Sequence, residues 1–174
     1  MWHGAREVLR SLSYYEMKNR AGVVGRNGLG PLLGGLAAPV GHTMRVHLMG
    51  HSFGALAGYR SRVDGPLVAT FTSADRAVGW WYPMASMLSH QDAESVGDLG
   101  YRWGGLGHDA YQQAATSTAV LAKPRTGYGF ATGAFYRLDS NAVIKADQSP
   151  VSGAHSDIQH PEVAWAAISA AGLG

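Results

Sequence analysis

Gly50-His51-Ser52-Phe53-Gly54 sets a serine between two glycines in the pattern G-x-S-x-G. A serine hydroxyl is a weak nucleophile until a neighbouring base takes its proton. It gains reach on a sharp strand-to-helix turn, where the strained backbone pushes the hydroxyl out at the edge of a sheet. Small residues two before and two after the serine keep that turn clear of its neighbours, and both are glycine here, Gly50 and Gly54, with His51 and Phe53 between. Attack on an acyl carbonyl also needs a base and an acid that orients it. Asp75 stands downstream, just past the apolar run Pro66 to Thr72. Two histidines compete for the base: His108 in Gly107-His108-Asp109, and His155 in Ser152-Gly153-Ala154-His155. His155 is preferred because it follows the last strand candidate and precedes the last helix, in the order serine, acid, histidine. The expected chemistry is acyl transfer through Ser52, with His155 moving the proton, Asp75 holding the imidazole and the Phe53 backbone N–H donating to the oxyanion. The alternatives are an ordinary glycine turn around a buried serine, a solvated Asp75 beside Arg76, and histidines on surface loops.

These residues need elements to carry them. Met44 to Met49 is apolar enough for a buried strand leading into the turn, and Ala55 to Arg62 suits a short helix leaving it. Pro66 to Thr72 is the best strand by composition, β-branched and apolar. Ala134 to Leu138 and Ala142 to Ala146 read as strand pieces around Asp139-Ser140-Asn141. Helices are expected over Ala5 to Lys18, Leu32 to Ala38 (ended by Pro39), Trp81 to Ser89, Ala110 to Leu121 and Pro161 to Ala171. The glycines between Gly22 and Gly30 should break helical structure, and Gly97 to Gly107 should be loop. Strands alternating with helices predict an α/β fold, three-layer α/β/α around a mostly parallel sheet.

The 174 residues suit a single domain spanning 1–174. Hydrophobic residues make up 46% and charged residues 15%, a balance that argues against a disordered chain. A net charge of +2, with no basic run interleaved by aromatics, gives no nucleic-acid footprint. The absence of cysteine excludes disulfides, thiolate metal sites and a cysteine nucleophile, and it fits a reducing, cytoplasmic setting. No apolar stretch reaches the ~20 residues of a membrane helix.

Several other features carry less. Gly25-Arg26-Asn27-Gly28-Leu29-Gly30 lacks the Gly-Lys-Ser/Thr ending of a phosphate loop. His42, His47 and His51 fall on shifted faces of a strand, so a shared metal is not expected. His155 and His160 lack an evident third ligand. Trp80, Trp81, Tyr82, Tyr101 and Trp103 could line an acyl pocket, although core packing is the commoner use of such aromatics. Asp92, Glu94 and Asp98 read as a solvated loop. No metal and no organic cofactor is expected.

The segments Val46 to Gly54, Gly65 to Asp75 and Gly153 to Ala164 together resemble bacterial α/β-hydrolases of the serine-hydrolase, esterase/lipase-like type. Met17 to Leu33 is similar to the helix that runs up to the elbow strand in that family. The resemblance implies a small acyl substrate and a partial α/β-hydrolase fold, its C-terminal portion. In the family the elbow strand is the fifth of eight, whereas residues 1–45 here hold no clear strand. The loop carrying the second oxyanion donor is then missing, and one such donor is worth about 3 kcal/mol of transition-state stabilisation. Only Ala55 to Gly65 separates the elbow from the next strand, close to the ~10–12-residue minimum for a parallel crossover. A shortened sheet would expose an edge open to self-association. A non-catalytic remnant, and a transferase or peptidase using the same three residues, are the competing functions.

Overall fold

The computed structural model describes residues 20–40, 45–51, 64–81, 106–111 and 115–174. The chain divides into two units, Met1–Leu56 and Ala57–Gly174.

In the first unit, residues 20–24 are helical, Gly25–Leu29 forms one π-helical turn, and α1 spans Gly30–Val40. The glycines therefore widen the helix instead of breaking it. The Gly30 N–H donates to the Gly25 carbonyl, five residues back, which is the mark of a π bulge. A Cβ on Gly30 would lie 3.0 Å from that carbonyl oxygen, so the bulge has little room for a side chain. Pro39 does not end the helix at Ala38 but lies in its last turn, where it forfeits one backbone hydrogen bond. Residues 45–51 form no strand, contrary to the expectation for Met44 to Met49. Val46 and Leu48, which alternation would put on one buried face, are 50% and 64% exposed. Without a ladder partner among the described residues, apolar alternation does not make a strand.

The second unit holds a three-stranded, all-parallel sheet: β1 (Leu67–Phe71), β2 (Thr116–Val120) and β3 (Phe135–Asp139), in the order β1-β3-β2. Leu67 to Phe71 pairs with Phe135 to Asp139 in register, and Thr116 to Val120 pairs with the same five residues from the other side. β1 and β3 fall where their β-branched and aromatic content placed them. β2 lies inside the stretch expected to be helical, Ala110 to Leu121. The β-branched Thr116, Thr118 and Val120 are better matched to a pleat than to a helix, and the strand is mostly exposed, paired on one side by β3. The Arg137 guanidinium reinforces that pairing by donating to Thr118 Oγ1 at 2.6 Å.

Leu138, the fourth of the five residues of the middle strand, is fully buried beside the buried Leu121 and Ala166, and Val68, Tyr128, Phe130, Val143 and Val163 pack around them. Burying one such leucine contributes about 1.5–3 kcal/mol. Tyr128 stacks on Phe130, whose edge meets Tyr136, so the aromatic connection between β2 and β3 supplies cover that a crossover helix usually gives. The closing helix, α3 (Pro161–Ala170), begins with Pro161 in its first turn as expected. A short helix, α2 (Leu106–Asp109), packs on β1, where the sequence suggested loop up to Gly107. Ala142 to Ala146 is a turn and not a strand: the N–H groups of Val143 and Ile144 both donate to the Ser140 carbonyl. The helices expected over Ala5 to Lys18 and Ala55 to Arg62, and that over Trp81 to Ser89 beyond Trp81, lie outside the described residues. Trp81 itself closes a π-helical turn, Ala77–Trp81. No helix among the described residues is long and apolar enough to cross a membrane.

Candidate functional site

Parallel strands bring all their carboxyl ends to one edge of the sheet, where open α/β sheets assemble their sites. The loops leaving β1 and β3 meet at this edge. Thr72 Oγ1 donates to the Ile144 carbonyl at 2.8 Å, and the Ser73 N–H and hydroxyl both donate to Asn141 Oδ1, at 2.9 and 2.7 Å. Asn141 is held in turn by Asp139 Oδ1, which accepts its Nδ2 at 2.7 Å. Ser140, wholly buried, ties its N–H to the Phe71 carbonyl. The turn that carries Asp75 is thus fastened to the end of the neighbouring strand.

Asp75 is 4% exposed. It is not the solvated partner of Arg76, whose guanidinium pairs instead with Asp147 at 2.8 Å and is itself exposed. Asp75 Oδ1 accepts the Val78 N–H at 3.3 Å, and Oδ2 meets His155 Nδ1 at 2.9 Å. The two side chains are 80 residues apart in sequence. A short antiparallel bridge, Asp75 to Gly153, brings them together, with the Ala154 N–H donating to the Ala74 carbonyl at 2.9 Å. Gly153 has φ of +57°, and a Cβ there would collide with the Ala74 carbonyl oxygen. Only glycine allows both the left-handed backbone and that approach. The imidazole of His155 keeps 16% of its surface exposed against 5% for the carboxylate, so the acid is sealed and the base reaches outward.

His108, the other candidate base, sits on α2. Its Nδ1 pairs with Asp109 Oδ1 at 2.8 Å, and its ring lies against the backbone of Gly79. Asp75 is therefore matched to His155 and not to His108. A third pair lies further along the same loop, where His160 Nε2 meets Asp157 Oδ1 at 2.9 Å. Asp157 Oδ2 accepts the N–H groups of Lys145 and Ala146, each at 2.9 Å. The Ala146 N–H, then that of Lys145 and the His160 side chain, hold the Asp157 carboxyl below its usual 3.8, against the opposing effect of burial. This third pair clamps the loop that leads into α3.

Ser52, Phe53 and Gly54 lie outside the described residues. Gly50 and His51 are described, in the first unit, on backbone that is neither helix nor strand. Among the described residues no group of three or more His, Cys, Asp or Glu could hold a metal ion. The sequence did not single out Asn141, Thr72 or Gly107 as parts of this edge. Their hydrogen bonds and contacts join β1 to segments more than thirty residues away, and no local pattern encodes them. Gly153 had a signal in its position two residues before His155.

The chain shows no match to a family model, to a curated protein or to a solved structure.

Proposed function

We propose that this chain is a serine hydrolase of the α/β-hydrolase kind, cleaving an ester or related acyl bond through Ser52, His155 and Asp75. The observation that carries the proposal is the buried Asp75 carboxylate bonded to His155 Nδ1 at the carboxyl edge of a parallel sheet. An acid in that position fixes the imidazole tautomer and stabilises its cation, and Nε2 is then the nitrogen that exchanges a proton with the nucleophile. Ser52 on its glycine-flanked turn forms the acyl-enzyme, His155 passes the proton to the leaving group, and a water activated by the same nitrogen releases the acid. The Phe53 N–H is the first oxyanion donor. A three-layer arrangement around the sheet and a partial hydrolase topology, the C-terminal portion of that fold, belong to the same proposal, as do a small acyl substrate and a metal-free mechanism.

One observation favours a second reading, a non-catalytic remnant: residues 45–51, which precede Ser52, form no strand, whereas a nucleophile elbow is strained and presented by the strand that leads into it. Intact-mass labelling with a fluorophosphonate separates the two. A single adduct that is lost in both Ser52→Ala and His155→Ala supports the hydrolase. Labelling that survives His155→Ala moves the base to His108. Folded protein that takes no label is a remnant.

A further inference from the structure

The contact that seals Asp75 comes from an element with no assigned role, the short helix α2. The Gly107 carbonyl accepts the Thr72 N–H at 2.9 Å, which draws the helix against the end of β1. At that distance the Gly107 Cα faces the carboxylate directly. A Cβ on Gly107 would lie 2.5 Å from Asp75 Oδ2, the oxygen that meets His155, and 3.2 Å from Val78 Cγ2. The φ of Gly107 is not in the left-handed region, and alanine is the better residue for a helical turn. Neither backbone conformation nor propensity accounts for glycine here; the approach to Oδ2 does.

We infer that Gly107 is a positioning residue for the Asp75–His155 pair: its bare Cα is the wall that holds Oδ2 on His155 Nδ1. The contrast with Gly153 makes the point physical. An added methyl at Gly153 meets backbone, which cannot yield without opening the bridge between the two loops. At Gly107 the same methyl meets the end of a carboxylate, which yields by turning away from its wall. The expected result is a folded protein whose Oδ2–Nδ1 bond is lost or displaced. Reacting groups misplaced by about 1 Å lose about a hundredfold in rate.

The kinetic consequence rests on the serine-hydrolase proposal, whereas the geometric one does not. The experiment therefore compares parent, Gly107→Ala and the control Gly127→Ala, whose added Cβ meets nothing within 4 Å. Three readouts are taken: thermal unfolding, the low-field proton resonance of the His155 Nδ1–H (assigned by its loss in His155→Gln), and hydrolysis of a short activated ester. The expected result for Gly107→Ala is a parent-like unfolding midpoint, loss or a large upfield shift of the resonance, and a fall in kcat of about a hundredfold with KM little changed. Gly127→Ala should match the parent in all three. A resonance present in the parent and lost in Gly107→Ala, with a parent that turns over no ester, supports the positioning role and counts against the hydrolase. An unchanged resonance with unchanged kcat overturns the proposal. So does a Gly107→Ala protein that fails to fold, which makes the glycine structural, and so does a parent lacking the resonance, which leaves no pair to position.

Discussion

Replacing Asp75 by asparagine keeps the shape of the side chain and changes what it can accept. The carboxylate takes two hydrogen bonds, from the Val78 N–H and from His155 Nδ1, at 3.3 and 2.9 Å. An amide oxygen left on Val78 turns Nδ2 toward His155, and an NH2 group donates only. Nδ1 must then become the acceptor, and the proton moves to Nε2, the nitrogen that a base needs bare. Both contacts survive with roles reversed, so the stability change is expected to stay within about 1 kcal/mol, or about 2–4 °C in Tm for a chain of this size. The reaction loses far more. The wrong tautomer with intact geometry costs about 10⁴ in kcat, equivalent to about 5.5 kcal/mol of barrier. The assay is steady-state hydrolysis of a short activated ester by parent and Asp75→Asn protein of matched Tm. A kcat within tenfold of the parent would refute the role given to Asp75 and reduce the pair to a structural hydrogen bond.

Other outcomes follow from the same geometry. Leu138→Ala empties the centre of the core and should cost about 2–5 kcal/mol by denaturant unfolding. Gly153→Ala forces a left-handed alanine against a carbonyl, so its cost should exceed the ~1–2 kcal/mol of the conformation alone, and soluble yield together with chemical denaturation reads it. Because Asp157 titrates lower in the folded chain than when unfolded, the unfolded state binds its proton first. Its contribution to stability is complete above the usual 3.8 and disappears as pH falls through the lower, folded value. Asp157→Asn should flatten that acid limb of the stability profile, and a profile of unchanged slope would exclude Asp157 as its source.

How far the sequence could be read depended on whether the deciding interaction was local. β1 and β3 announce themselves in Leu67-Val68-Ala69-Thr70-Phe71 and Phe135-Tyr136-Arg137-Leu138, where β-branched and aromatic residues suit a pleat. The start of α3 is written in Pro161. Ala110 to Leu121 reads locally as helix, while the identity of β2 comes from pairing with β3 nineteen residues on. Ala142 to Ala146 has strand-like residues, but Ser140 gathers two N–H groups from it and closes a turn first. At the site, Asp75 and His155 could be named from chain order and from their places after strand candidates. Their contact, and the glycines on either side of the acid, belong to segments that meet only in the folded chain.

The strand order carries a consequence for how this protein is made. β1 and β2 leave the ribosome first, yet neither pairs with the other; each waits for β3, the last of the three to be synthesised. Until residue 139 has emerged, none of the ladders among the described strands can exist. The nascent chain then carries β1 unpaired from residue 71 to residue 139, joined by an unpaired β2 from residue 120, the condition under which chains recruit chaperones or aggregate. Contacts this distant in sequence also slow the search once it begins. Expression at lower temperature or with added chaperone should therefore raise the yield of this chain, and a stop placed ahead of β3 should leave β1 and β2 without the strand that joins them.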